Sequence, residues 1–279
     1  MLRLLLSLVC LGAAGGSVSA AAASRSAFLP ARFSVEVVGT GPDVILIPGL
    51  TASREIWRAT AMAITGYRYH LIQVAGFAGA PARGNAKGPV VVPLAEEIAH
   101  YISDRHLDRP AIVGHSMGGT IALMVAARHP GEVGKVMVVD MLPEPAGLIG
   151  SNAAGIGGLA DLLEGITGTT AGQSLVEAAI RMFGDPTEAS RSDPNVVARA
   201  TNELARTDLT PDLPRIAAPL TVVYASPEAG ENGVVDRQFR AAYAGDKAAR
   251  LIRVDRSGHM VMFDQPTVFR QALRHFLAG

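Results

Sequence analysis

The sequence predicts an α/β fold: a mostly parallel central sheet flanked by helices, with a helical cap inserted late in the chain. Three observations carry this. Short apolar runs rich in β-branched residues alternate with helical patterns. Those runs are continuously apolar, as strands covered on both faces require. One long stretch between two of them holds no strand pattern at all.

Phe33 to Val38 and Val44 to Ile47 are the first two runs. Gly39-Thr40-Gly41-Pro42-Asp43 separates them as a turn, which predicts a hairpin. Tyr69 to Val74 follows as a strand, and Leu94 to His106 as a helix with Leu94, Ile98, Tyr101 and Ile102 on one face. Ala111-Ile112-Val113 is a buried strand leading into a helix that His129-Pro130-Gly131 stops. Val136 to Val139, Leu220 to Tyr224 and Leu251 to Val254 are three further strands, and a last helix spans about Pro266 to Leu277.

The stretch from about 141 to 213 is the exception. Its helical patterns are Gln173 to Phe183 and a helix opened by Asp193 as N-cap and Pro194 at the first helical position. A loop this long without structure would be unusual, so the segment reads as a cap over the sheet.

Composition narrows the function classes. The 279 residues are 49% hydrophobic and 18% charged, enough for one sizeable domain over 24–279. Lys+Arg and Asp+Glu balance at 25 each, with no basic stripe of the kind a nucleic-acid partner needs. Met1-Leu2-Arg3, an apolar run from Leu4 to Leu11 and small residues after it resemble an export signal over 1–23, with cleavage near 20–23. A periplasmic or secreted protein without a membrane span is expected, since no apolar run reaches about 18 residues. The single cysteine, Cys10, lies in that leader, so the mature chain would form no disulfide.

In parallel sheets reactive groups collect at the carboxyl ends of the strands. Gly114-His115-Ser116-Met117-Gly118-Gly119 stands there. Gly-x-Ser-x-Gly recurs by accident in a glycine-rich chain, but this copy sits between a buried strand and a helix, the strand–turn–helix setting that lifts a serine above the sheet. Gly114 and Gly118 leave room where side chains would collide with neighbouring elements. Ser116 is therefore the candidate nucleophile, and it needs a base. His70, His100, His106, His115, His129 and His275 read as solvated or structural. His259 differs: it follows a strand in Arg256-Ser257-Gly258-His259, at the edge where it can reach Ser116.

An acid that orients the imidazole should also follow a strand. Glu228, in Ala225-Ser226-Pro227-Glu228, has the expected offset and chain order; Asp140 is its main rival, with Glu231 and Asp236 behind. The oxyanion of an acyl-transfer intermediate needs two fixed donors. The Met117 N–H, at a helix start, supplies one. In Pro48-Gly49-Leu50, proline lacks an N–H and glycine turns the chain, leaving Leu50 as the second.

These pieces resemble the α/β-hydrolase family, in particular its esterase-like branch with a helical cap between the sixth and seventh strands. Leu46-Ile47-Pro48-Gly49-Leu50 is similar to the family's oxyanion loop and Gly76-Phe77-Ala78-Gly79 to its next glycine-rich loop. Gly258-His259 with Phe263-Asp264-Gln265-Pro266 is similar to its histidine loop. Two positions depart from the pattern: Pro48 stands where a histidine is usual, and Glu228 where aspartate is usual. Ser116 argues against the aspartate nucleophiles of epoxide hydrolases and haloalkane dehalogenases. The resemblance implies a serine hydrolase acting on a small-molecule ester through an acyl-enzyme. Residues 141–172 contain Glu144, Asp161 and Glu164 but no Lys or Arg, which favours neutral, small to medium acyl substrates. The same groups could instead serve a lyase, a cofactor-free perhydrolase or a C–C bond hydrolase, or stand silent in a binding protein. No metal-ligand spacing or phosphate loop is visible, so neither metal nor cofactor is expected.

Overall fold

The computed structural model describes residues 28–150, 186–227 and 233–279. Seven strands form one sheet in the order β1-β3-β2-β4-β5-β6-β7. They are β1 (Phe33–Gly39), β2 (Asp43–Ile47), β3 (Arg68–Val74), β4 (Ala111–His115), β5 (Lys135–Val139), β6 (Leu220–Ser226) and β7 (Arg250–Asp255). Every pairing is parallel except that of β1 with β3.

Side-chain alternation divides the core into two layers. Ile45, Ile47, Ile72, Ile112, Val136, Val138 and Val222 face one side. There they pack on α2 (Val91–Asp104) and α3 (Met117–Arg128). Val44, Leu46, Leu71, Val113, Met137, Val139 and Val223 face the other. That layer contains Trp57, Ala61 of α1 (Arg58–Ala63) and Phe269 and Leu273 of the C-terminal helix, Pro266–Ala278. Burial on both faces is why these strands read as unbroken apolar runs. Helix α3 is buried from Met117 to Ala127, so its sequence is apolar all round.

The expected first hairpin does not form. β1 pairs antiparallel with β3, while β2 lies between β3 and β4. The reason is burial. β2 is apolar on both faces and belongs in the sheet interior, whereas β1 keeps Ser34 and Val37 exposed and suits the edge.

The insertion joins β5 to β6, one strand earlier in the count than the resemblance implied. Its described part contains α4 (Pro145–Gly150), α5 (Pro186–Ser190) and α6 (Pro194–Ala205). α6 opens as expected: Asp193 is its N-cap, accepting from the N–H groups of Asn195 (2.9 Å) and Val196 (3.2 Å), with Pro194 at the first helical position. The helix expected over Gln173 to Phe183 and the leader over 1–23 lie outside the described residues. Among the described residues no helix is long and apolar enough to cross a membrane.

His70, expected to be structural, is buried in β3. Its Nδ1 lies 2.7 Å from the Tyr101 hydroxyl and its Nε2 lies 2.8 Å from Asp43 Oδ1. Desolvation lowers the His70 pKa against the opposing pull of Asp43, while the Arg68 hydrogen bond lowers that of Asp43. Both shifts have the same consequence. The unfolded chain takes up protons first, so stability is full above about pH 6.5 and falls as His70 and then, below about pH 4, Asp43 are titrated. Urea unfolding measured from pH 8 to pH 3 should show this decline, and His70→Gln should shrink the part below pH 6.5.

Candidate active site

Ser116 lies between β4 and α3 with φ 53° and ψ −124°, a conformation unfavourable for a residue carrying a Cβ. Its N–H continues the sheet ladder to the Val139 carbonyl at 2.9 Å, and its own carbonyl accepts from Gly119 (2.7 Å) and Thr120 (3.2 Å). The surrounding glycines are close-approach positions, as the motif predicts. A Cβ at Gly114 would stand 2.0 Å from the Gly118 carbonyl oxygen, and one at Gly118 would stand 2.3 Å from that of Ile47. The start of α3 therefore lies directly against the end of β2.

That contact brings the Pro48-Gly49-Leu50 loop to the serine. A Cβ on Gly49 would be 3.1 Å from the Ser116 Cβ. The N–H groups of Leu50 and Met117, both expected to be donors, make no backbone hydrogen bond among the described residues.

His259 follows β7 on a loop pinned at both sides. The Gly258 N–H donates to Asp264 Oδ2 at 2.8 Å, and Gln265 Nε2 donates to the Arg256 carbonyl at 2.9 Å. Its Nδ1 lies 2.7 Å from Oδ2 of Asp140, and both side chains are buried. Asp140, just past β5 with φ 52°, is anchored in turn: its N–H donates to the Val223 carbonyl (2.7 Å) and its Oδ1 accepts from the Ala225 N–H (2.8 Å). The structure thus pairs the histidine with the rival acid. Glu228 and Glu231 lie outside the described residues, and Asp236 instead bonds Tyr224 and Arg240.

Sequence reasoning assigned His115 no part beyond structure. It is buried, and its Nε2 lies 3.0 Å from the His259 carbonyl oxygen, with the two rings 4.6 Å apart. A carbonyl only accepts, so Nε2 carries the proton and Nδ1 is bare. Burial first, and the nearby His259 second, hold the His115 pKa well below its ordinary value, so the ring is neutral. It steadies the histidine loop as an uncharged donor. Its place inside the motif was the available signal; its direction was not.

The other histidines keep their expected roles. His129 meets Glu96 at 2.9 Å, and His100 packs on Phe28. No group of three or more potential metal ligands occurs among the described residues. A hollow of about 530 Å³ along β1, lined in part by Phe33, Val35, His70 and Tyr101, includes none of Ser116, Asp140 or His259.

Comparison with known proteins agrees with this architecture. The model of the family described as "Alpha/beta hydrolase family" matches residues 44–272. A pimeloyl-[acyl-carrier protein] methyl ester esterase of Vibrio cholerae is 26% identical over 86% of this chain and 96% of its own length. The enzyme of the same name from Aeromonas hydrophila is 32% identical over 39% of this chain, and the match spans only 42% of that enzyme. Among solved structures, a thermophilic esterase from Thermogutta terrifontis superposes with a TM-score of 0.70 at 18% identity, covering 88% of this chain and 93% of its own. An enol-lactonase from Burkholderia xenovorans gives 0.64 at 20%, covering 88% and 96%. At these identities the two structures establish the fold.

The close approach at Gly118 has a measurable consequence. Gly118→Ala should destabilise by about 1–3 kcal/mol or more through overpacking against backbone that cannot move aside. Gly131→Ala, where a Cβ meets nothing within 4 Å, should leave thermal unfolding unchanged.

Proposed function

This chain belongs to the alpha/beta hydrolase family, and on that premise we propose that it is a serine hydrolase cleaving carboxylic esters through an acyl-enzyme. The observation that carries the proposal is the buried His259–Asp140 pair, in ring contact with His115, whose chain neighbour Ser116 is held in the strained turn after β4. Asp140 takes the acid role in place of Glu228. It fixes the imidazole tautomer with the proton on Nδ1 and stabilises the imidazolium that forms. Proton transfer then falls to Nε2.

His259 accepts the Ser116 hydroxyl proton as Oγ attacks the ester carbonyl. In this reading the oxyanion accepts hydrogen bonds from the N–H groups of Leu50 and Met117. The alcohol departs with the proton from His259. Water, deprotonated by the same imidazole, then releases the acid and restores Ser116.

Neutral, small to medium acyl esters fit best, because residues 141–172 carry three carboxylates and no cation to grip an anionic head group. Relatives named as methyl ester esterases support a small alcohol group. We also read residues 1–23 as an export signal that places the enzyme in the periplasm or outside the cell.

Short p-nitrophenyl esters should be turned over by the intact protein and not by Ser116→Ala, which should also lose labelling by a fluorophosphonate. Asp140→Asn should cost about 10⁴ in kcat, the scale set by loss of the orienting acid elsewhere, while Glu228→Gln should cost little. A large loss in Glu228→Gln with Asp140→Asn unaffected would reverse the acid assignment. N-terminal sequencing of the protein recovered from an exporting host should begin between residues 21 and 24; an intact Met1 in that fraction would refute the export reading.

A further inference from the structure

The loop that presents Leu50 is a tight turn closed by the Ala52 N–H on the Gly49 carbonyl at 3.3 Å. Its third residue, Thr51, has φ 63°. Glycine is the usual occupant of such a position, and a β-branched residue there is a true outlier. Strain of this kind persists only where surrounding structure enforces it. The turn does not enforce itself: the Thr51 hydroxyl is buried and has no hydrogen-bond partner among the described residues.

The hold comes from the cap. Glu188, on α5, accepts from the Ser53 N–H at 2.8 Å through Oε2 and from the Ser53 hydroxyl through Oε1. Ser53 is buried, and both of its groups donate to the carboxylate. Four residues later, Ser192 Oγ lies 3.4 Å from the Thr51 carbonyl and accepts from the Ala78 N–H at 2.8 Å. The Asp193 N–H reaches the Gly76 carbonyl at 2.7 Å. One cap segment, 188–193, therefore pins both glycine-rich loops at the carboxyl edge of the sheet.

We propose that Glu188 is a positioning residue that holds the Leu50 N–H in place for the oxyanion, so that the docked cap completes the active site. The proposal rests on the esterase reading and on Leu50 as a donor. Glu188 acts through Ser53 and the strained Gly49–Ser53 turn.

Glu188→Ala should lower kcat by roughly ten- to a hundred-fold, less than outright loss of an oxyanion donor, with KM changed less than about three-fold. Rates are expressed per active site, counted by complete fluorophosphonate labelling, so a merely destabilised variant shows normal kcat. An alkyl boronic acid, whose tetrahedral adduct places an oxygen in the oxyanion position, should bind Glu188→Ala weaker by the same factor. Glu188→Gln should recover most of both losses, since its amide can accept from the Ser53 N–H and donate to the hydroxyl. If Glu188→Ala does not fold, Ser53→Ala should show a smaller loss in the same two quantities. Unchanged kcat and boronate affinity in these variants would overturn the assignment of Glu188 alone. Failure of the unaltered protein both to cleave esters and to bind the boronate would instead overturn the esterase reading, and the role of Glu188 with it.

Discussion

The contact between the start of α3 and the end of β2 is the constraint from which the site follows. Gly118 meets the Ile47 carbonyl and Gly114 meets Gly118, so closely that no Cβ could stand between them. Only that spacing lets Ser116 turn at φ 53° while its N–H still continues the ladder to Val139. It also sets Gly49 against the serine. The cost of the strained serine is borne by an α3 that is buried along nearly its whole length, which leaves the turn no way to relax.

The partners of the serine are held by continuations of the same sheet. The N–H of Ser116, Asp140 and Ser257 donates in each case to a carbonyl of the adjacent strand. Ser116, Asp140 and the loop of His259 thus keep one register although they are up to 143 residues apart in the chain. His115 adds an uncharged donor to the backbone of His259.

Legibility from sequence varied with the range of the interaction. Ser116, the glycines around it, the Asp193–Pro194 helix start and the strand–helix alternation are local features, set by backbone freedom, capping and burial within a few residues. The pairing of β1 was misread because a Gly/Pro turn between two apolar runs allows a hairpin and a crossing equally. The outcome was decided by which strand had to be buried on both faces. The acid was ambiguous for a similar reason, as both Asp140 and Glu228 follow strands. Glu188 gave no signal at all, since an acidic residue in a short helix looks solvated until the loop it holds is in place.

The sequence by itself determined the strands and helices, the strand–Ser116–helix turn and the place of His259 after the last strand, because these depend on side-chain period and on residues adjacent in the chain. Tertiary structure alone decided the strand order, the pairing of His259 with Asp140, the direction of His115 and the tie from Glu188 to Ser53. Each of these joins segments dozens of residues apart, and their distances are fixed only when the two faces of the sheet are packed.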